Sequence, residues 1–148
     1  MDVDSEMDTL EHPPEQTDKT EETDNAAFLG AVFHALPEKA TATVTSFPGN
    51  PATTKQWGNC APIGKIETPA TANNYFCLSS HYPGEDGVVR RKKTHFAGLH
   101  CVMLDDIGTK IPADRVCLTP SWSIETSPSN YQVGIILDVP ILETAAAD

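Results

Sequence analysis

Long apolar runs are missing from this sequence: none approaches the roughly 20 residues that a bilayer-spanning helix needs. Nor does the chain start with the basic-then-apolar pattern of a secretory leader. Both absences predict a soluble, cytoplasmic protein. Paired cysteines are missing as well. The four present, Cys60, Cys77, Cys101 and Cys117, contain no Cys-x-x-Cys and stand far apart. That argues against a thiolate zinc site and implies no disulfide framework. Cys77 and Cys101 lie in apolar, strand-like runs and read as small buried hydrophobes. There is no Gly-x-Ser-x-Gly, and none of the five histidines has a spacing that ties it to a particular Ser or Cys. Gly64-Lys65 is followed by Ile66, not by Ser or Thr. A nucleophile-elbow hydrolase and a P-loop are therefore set aside. No internal repeat is visible.

Charge is present but unevenly spread. Residues 1–24 hold ten acids against the single Lys19, a net of −9, which leaves only −2 of the chain's −11 for the remainder. The low isoelectric point thus describes the first segment and excludes nothing about what the rest can bind. That segment has few large apolar residues and carries Pro13-Pro14. It cannot bury enough surface to offset its ordering entropy, so residues 1–24 are expected to be disordered and 25–148 to form one domain.

Within that domain, Asp24 or Asn25 caps a helix from Ala26, with Phe28, Leu29, Val32, Phe33 and Leu36 at helical spacing and Pro37 as its stop. Thr41–Phe47 alternates and is β-branched, a strand closed by Pro48-Gly49-Asn50-Pro51. Residues 52–72 are loop-like, with Trp57 as the large anchor. Asn74–Ser80 is a second strand and Leu99–Leu104 a third, buried one. Trp122–Thr126 and Tyr131–Val139 flank Ser127-Pro128-Ser129-Asn130 as a hairpin. A helix starts at Glu143. Strands outnumber helices and long connections intervene, so the expected class is α+β with a mainly antiparallel sheet and few helices.

Three stretches carry chemistry. The third strand climbs to Asp105-Asp106 and breaks at Gly108-Thr109-Lys110. Adjacent carboxylates at the end of a buried strand repel one another, and a bound Mg²⁺ or Mn²⁺ relieves that repulsion. Alternatively, both face water in a turn. Lys110 either neutralises the acids or meets a substrate phosphate. The run Arg90-Arg91-Lys92-Lys93 is either a solvated loop or a set of phosphate contacts, lying upstream of the acids by about one strand's length. Ser127, Ser129, Asn130 and Gln132 either bond their own hairpin backbone or face a ligand.

Two of these stretches, Met103-Leu104-Asp105-Asp106-Ile107-Gly108-Thr109-Lys110 and Pro120-Ser121-Trp122-Ser123-Ile124-Glu125-Thr126-Ser127-Pro128-Ser129-Asn130-Tyr131-Gln132, strongly resemble phage and plasmid replication primases. Those are the RepB-type members of the archaeo-eukaryotic primase (primase-polymerase) superfamily. Phe47-Pro48-Gly49-Asn50-Pro51, Trp57-Gly58 and Asn74-Tyr75-Phe76 resemble the N-terminal part of that family, and the match spans about residues 28–142. The resemblance implies an RRM-like catalytic core, here its N-terminal part and incomplete at the C-terminus. It also implies primer synthesis from nucleoside triphosphates on a single-stranded DNA template, and a replicative helicase as partner. By resemblance, Asp105 and Asp106 are metal ligands and catalytic residues. Arg90, Arg91, Lys110, Ser127, Asn130 and Gln132 are the corresponding nucleotide and phosphate contacts. The chain departs from the family pattern in three ways. Its acids are adjacent rather than two apart, so they point to opposite faces unless the strand ends or bulges between them. Gln132 stands where a His is expected, and the third carboxylate of a later strand is missing. The alternative from another class is a non-catalytic nucleic-acid- or protein-binding module, including a DNA-mimicking inhibitor that uses the acidic segment.

Overall fold

A computed structural model describes residues 24–53 and 60–143. The expected disorder of residues 1–23, the Trp57 anchor and most of the helix expected from Glu143 lie outside the described residues. The protein is α+β, with a single helix and mostly antiparallel strands in two sheets among the described residues.

Helix α1 spans Asn25–Val32, and the Asp24 carboxylate accepts the Ala27 N–H at 2.7 Å as its N-cap. A short acceptor there satisfies one of the first-turn amides that lack a helical partner. The helix ends four residues before the expected Leu36. Phe33 leaves the helical backbone at φ −107° and ψ 35°. Its ring instead meets Phe76 and the His100 imidazole edge-on, with centroids 6.3 and 5.1 Å away.

Strand β1 (Thr43–Phe47) is the centre of a three-stranded sheet, between β2 (Ala61–Pro62) and β3 (Asn73–Phe76). The second sheet runs in the order β4 (Ser79–His81), β5 (Phe96–Ile107), β7 (Asn130–Ile141), β6 (Trp122–Ser127), all antiparallel. The expected single strand Asn74–Ser80 is therefore two. Up to Phe76 it pairs with β1, and the Cys77 N–H still reaches Thr43 O at 3.2 Å. From Ser79 it pairs with β5. The chain changes sheet at Cys77-Leu78, and Thr41 and His81 stitch the seam by exchanging two backbone bonds of 2.9 Å.

Aromatic rings fill the space under α1. Phe28 packs edge-on to Phe76 and Trp122 at 5.4 and 5.5 Å, against buried Leu29, Val32, Ala42 and Cys101. Trp122 lies flat against Gly134, where an added Cβ would sit 2.2 Å from the indole. Only glycine admits that contact, which is how β7 passes beneath the tryptophan.

Leu99–Leu104 is not the fully buried strand its run of apolar residues suggested. Cys101 is sealed at 0 % exposure, but Val102 and Leu104 on the alternate face are 47 and 44 % exposed. Beyond Cys101 the core covers one face of β5 and leaves the other open. Strand β7 also runs beyond Val139, its expected end, through Pro140 to Ile141. The register there is irregular between Leu99/Ile141 and Cys101/Ile136, and such a break tolerates a residue with no N–H to give. No helix among the described residues is long and apolar enough to cross a membrane.

Candidate functional site

The polar stretches singled out above converge at one end of the four-stranded sheet. On β5, Leu104 faces Val133 and Ile107 faces Tyr131, so Asp105 and Asp106 together oppose the single residue Gln132. This is a β-bulge, an extra residue in one strand of an antiparallel pair. Asp106 takes the left-handed conformation there, at φ 59°. Aspartate is among the few non-glycine residues that adopt this conformation routinely. At such a bulge the regular alternation of the strand is interrupted.

Asp106 organises the loop that follows. Its carbonyl accepts the Lys110 and Ile111 N–H groups, both at 3.0 Å, and Gly108 N–H donates to Ile111 O at 2.8 Å. Gly108 adopts φ 91° and lies directly against the hairpin, where a Cβ would come within 2.4 Å of Ser129 O. The Asp106 carboxylate accepts Lys110 Nζ at 2.7 Å. That hydrogen bond and the charge of Asp106 raise the Lys110 pKa, with a smaller contribution from Asp105. Asp105 Oδ1 accepts the Asp106 N–H at 2.8 Å.

The β6–β7 hairpin completes the cluster. Its two-residue turn is Pro128-Ser129, with Ser129 at φ 62° and its N–H donating to Glu125 Oε1 at 2.9 Å. Thr109 Oγ1 donates to Asn130 Oδ1 at 2.6 Å, and Asn130 Nδ2 donates to Thr126 Oγ1 at 3.1 Å. Asn130 therefore locks the hairpin to the loop after the acids. Gln132 is half-buried between Ile124 and the acid pair, and Ser127 is exposed opposite Asn130. Asp105, Asp106, Lys110, Ser127, Asn130 and Gln132 thus share one sheet end. Thr109, Thr126 and Glu125, which sequence reasoning did not single out, hold it together. Their pairing depends on strand register, which leaves no mark on residue spacing.

Arg90 and Arg91 stand elsewhere. They precede a one-turn 3₁₀ helix (Lys93–His95) that feeds the opposite end of β5, about 30 Å from the acids at 3.3 Å per strand residue. Arg90 is committed to Asp86, donating from Nη1 to Oδ1 at 2.8 Å and from Nη2 to Oδ2. The Arg90 hydrogen bonds hold the Asp86 carboxyl well below the usual carboxylate range. Together they line a surface cavity of about 590 Å³ with Tyr82, Gly84, Thr94 and His95. The basic run is accordingly a second polar region, separate from the acid pair.

A Ser–His pair that spacing did not reveal is also present. His100 Nε2 and Ser80 Oγ lie 2.8 Å apart across β4 and β5. Both are buried, at 1 and 0 % exposure, so the pair packs within the sheet.

Among the described residues no group of three His, Cys, Asp or Glu side chains converges as a metal-ligand set. The acid pair alone offers hard carboxylate oxygens, on side chains open to water. That donor set fits Mg²⁺ or Mn²⁺, ions that keep several waters and take one or two protein carboxylates. Comparison of the chain with protein-family models, with curated proteins and with solved structures finds no match.

Proposed function

We propose that this sheet end is the nucleotide- and metal-binding half-site of a primase-polymerase-type domain, acting in primer synthesis during phage or plasmid replication. The observation that carries the reading is the bulge at Asp105-Asp106. It answers the adjacency that set these acids apart from the family pattern, and it sets both against Gln132, the residue standing at the family's histidine position.

In this reading Asp105 and Asp106 hold Mg²⁺ or Mn²⁺, and the ion, when bound, supplies charge neutralisation for a triphosphate and its pyrophosphate leaving group. The chain's own residues bind and orient. The Lys110 ammonium meets phosphate oxygens, and the Ser127 hydroxyl and the Asn130 and Gln132 amides offer neutral donors around them. Gln132 keeps its donor at any pH, where a histidine would gain and lose a charge. The basic run Arg90-Arg91-Lys92-Lys93, a strand's length away, suits the backbone of a single-stranded DNA template, and a replicative helicase is the expected partner. Function places the chain in the cytoplasm of the host cell.

The second reading is a binding module without turnover, acting on nucleic acid or protein or, through the acidic first segment, mimicking DNA. It is favoured by the absence of a third acid beside the pair among the described residues. One titration decides between them: labelled nucleoside triphosphate against the protein, with and without Mn²⁺, for the parent and for Asp105→Ala. Binding that needs Mn²⁺ and is lost in the variant supports the half-site. Equal affinity in parent and variant sinks it and leaves the binding module.

A further inference from the structure

We propose that Lys110 is a tethered counter-cation for the acid pair: it occupies Asp106 in the ion-free protein, gives way to the divalent ion, and then turns to the triphosphate. This rests on the half-site reading above and adds an order of events to it.

The geometry carries the inference. Of two adjacent carboxylates, only Asp106 has a cation against it among the described residues, Lys110 Nζ at 2.7 Å. Asp105 instead accepts the Asp106 amide with Oδ1. A divalent ion shared by both acids competes with the ammonium for the Asp106 carboxylate, because the two cations seek the same oxygens. The lysine is also built to leave. Its side chain is 79 % exposed, against 34 % for Asp106, so the ammonium sits on the solvent side of the carboxylate. Its backbone is held in place by the bond from Lys110 N–H to Asp106 O, and the loop is pinned to the hairpin by Thr109 and Asn130. Displacement therefore asks only for rotation of a solvated methylene stem.

The charge count gives the order. Two carboxylates with Lys110 alone sum to −1 and repel a triphosphate. With a divalent ion added and the lysine released nearby, the same groups sum to +1 and attract it. Ion binding thus favours nucleotide binding, and by linkage the nucleotide favours the ion.

The test is calorimetric titration of the full chain with MnCl₂ alone, and then with a non-hydrolysable nucleoside triphosphate at saturating Mn²⁺. The proteins compared are the parent, Lys110→Met and Arg115→Met. Arg115 lies on the 3₁₀ turn that follows and bonds neither acid, so its variant carries the same charge change without the contact. Lys110→Met is expected to tighten Mn²⁺ binding by about fivefold or more, as a competitor is removed, and to weaken nucleotide binding by a similar factor. Arg115→Met leaves both near the parent. These opposite signs in one variant are what a merely structural lysine does not produce. Mn²⁺ affinity that is equal or weaker in Lys110→Met, or that shifts as much in Arg115→Met, overturns the proposal while leaving the half-site standing. No Mn²⁺ binding by any of the three proteins overturns the half-site itself and this inference with it. Should Lys110→Met fold poorly, Lys110→Gln is read by the same criteria.

Discussion

Gly108→Ala is the substitution that most directly tests how the acid loop is seated. Two separate effects add. An L-residue at φ 91° pays about 1–2 kcal/mol for the left-handed backbone. The new Cβ would also lie 2.4 Å from Ser129 O, a full ångström inside ordinary contact. That oxygen belongs to backbone and cannot rotate away. The turn carrying it is held by the Ser129 bond to Glu125 and by the register of β6 on β7. Overpacking of this kind costs about 1–3 kcal/mol, so the variant should lose about 2–5 kcal/mol in all. The control is Gly87→Ala, at φ 74° with nothing within 4 Å of the new Cβ. It bears the backbone cost alone, about 1–2 kcal/mol. Urea unfolding followed by circular dichroism and tryptophan fluorescence gives both losses from midpoint and slope. The difference between the variants measures the contact with Ser129. If Gly108→Ala proves no worse than Gly87→Ala, the loop from Asp106 to Ile111 does not rest on the hairpin, and the site has been assembled wrongly.

Burial lowers the His81 and His100 pKa below 6.5, helped by Arg91 and then His95 at His81 and by His34 at His100. The unfolded chain then binds more protons than the folded one once pH falls below about 6.5. Stability is full above that value and declines as pH drops through it toward the folded-state pKa. Urea midpoints at pH 7.5, 6.5 and 5.5 should fall in that order, and His100→Gln should flatten the decline; an unchanged slope would refute a neutral buried His100. Thiol chemistry makes a further test. Burial, with a smaller effect from Cys77, pushes the Cys101 thiol up to about 11, and its side chain is sealed, whereas Cys117 is exposed. Iodoacetamide at pH 8 should label Cys117 in the native protein and reach Cys101 only on unfolding, as peptide mass spectrometry can show. Early labelling of Cys101 would contradict the packing around it.

The periodicity of the sequence carried the α+β class, the Asp24-capped helix and the hairpin at Pro128-Ser129, because each depends on neighbours within a few positions. The acid pair was legible as an oddity, two charges closing an apolar strand. A bulge between them was one alternative the sequence left open, but that it forms was not legible, since a bulge is defined by the partner strand, and nothing near Asp105 names Gln132 as that partner. The same limit explains Asn74–Ser80. Its alternation continues unbroken while its partner changes from β1 to β5. Leu99–Leu104 misled for a related reason. Apolar residues on consecutive positions suggest two covered faces, yet this protein covers one and leaves Val102 and Leu104 in water. Arg90 was chosen for its charge, and the carboxylate that claims it, Asp86, lay one helical turn away in the sequence without forming a helix.

The crossing at Cys77-Leu78 also bears on modularity. One uninterrupted stretch supplies an edge of each sheet, so each sheet is contiguous in the sequence, and what joins the two is the core under α1, drawn from both sides of the crossing. A cut there would keep each sheet whole in its own fragment, β1 to β3 before it and β4 to β7 after it, but it would divide the core that Phe28, Leu29 and Val32 share with Cys101 and Trp122, and the Thr41–His81 clasp would join two separate chains. A split-protein pair divided at this point should therefore reassociate through the apolar surfaces that the two fragments cover in one another, and gel filtration that keeps them apart would refute this. Breakage at the exposed turn around Gly87, by contrast, puts β4 and β5 on different fragments and parts the Pro83–Val89 bridge, so it is the second sheet that is divided there.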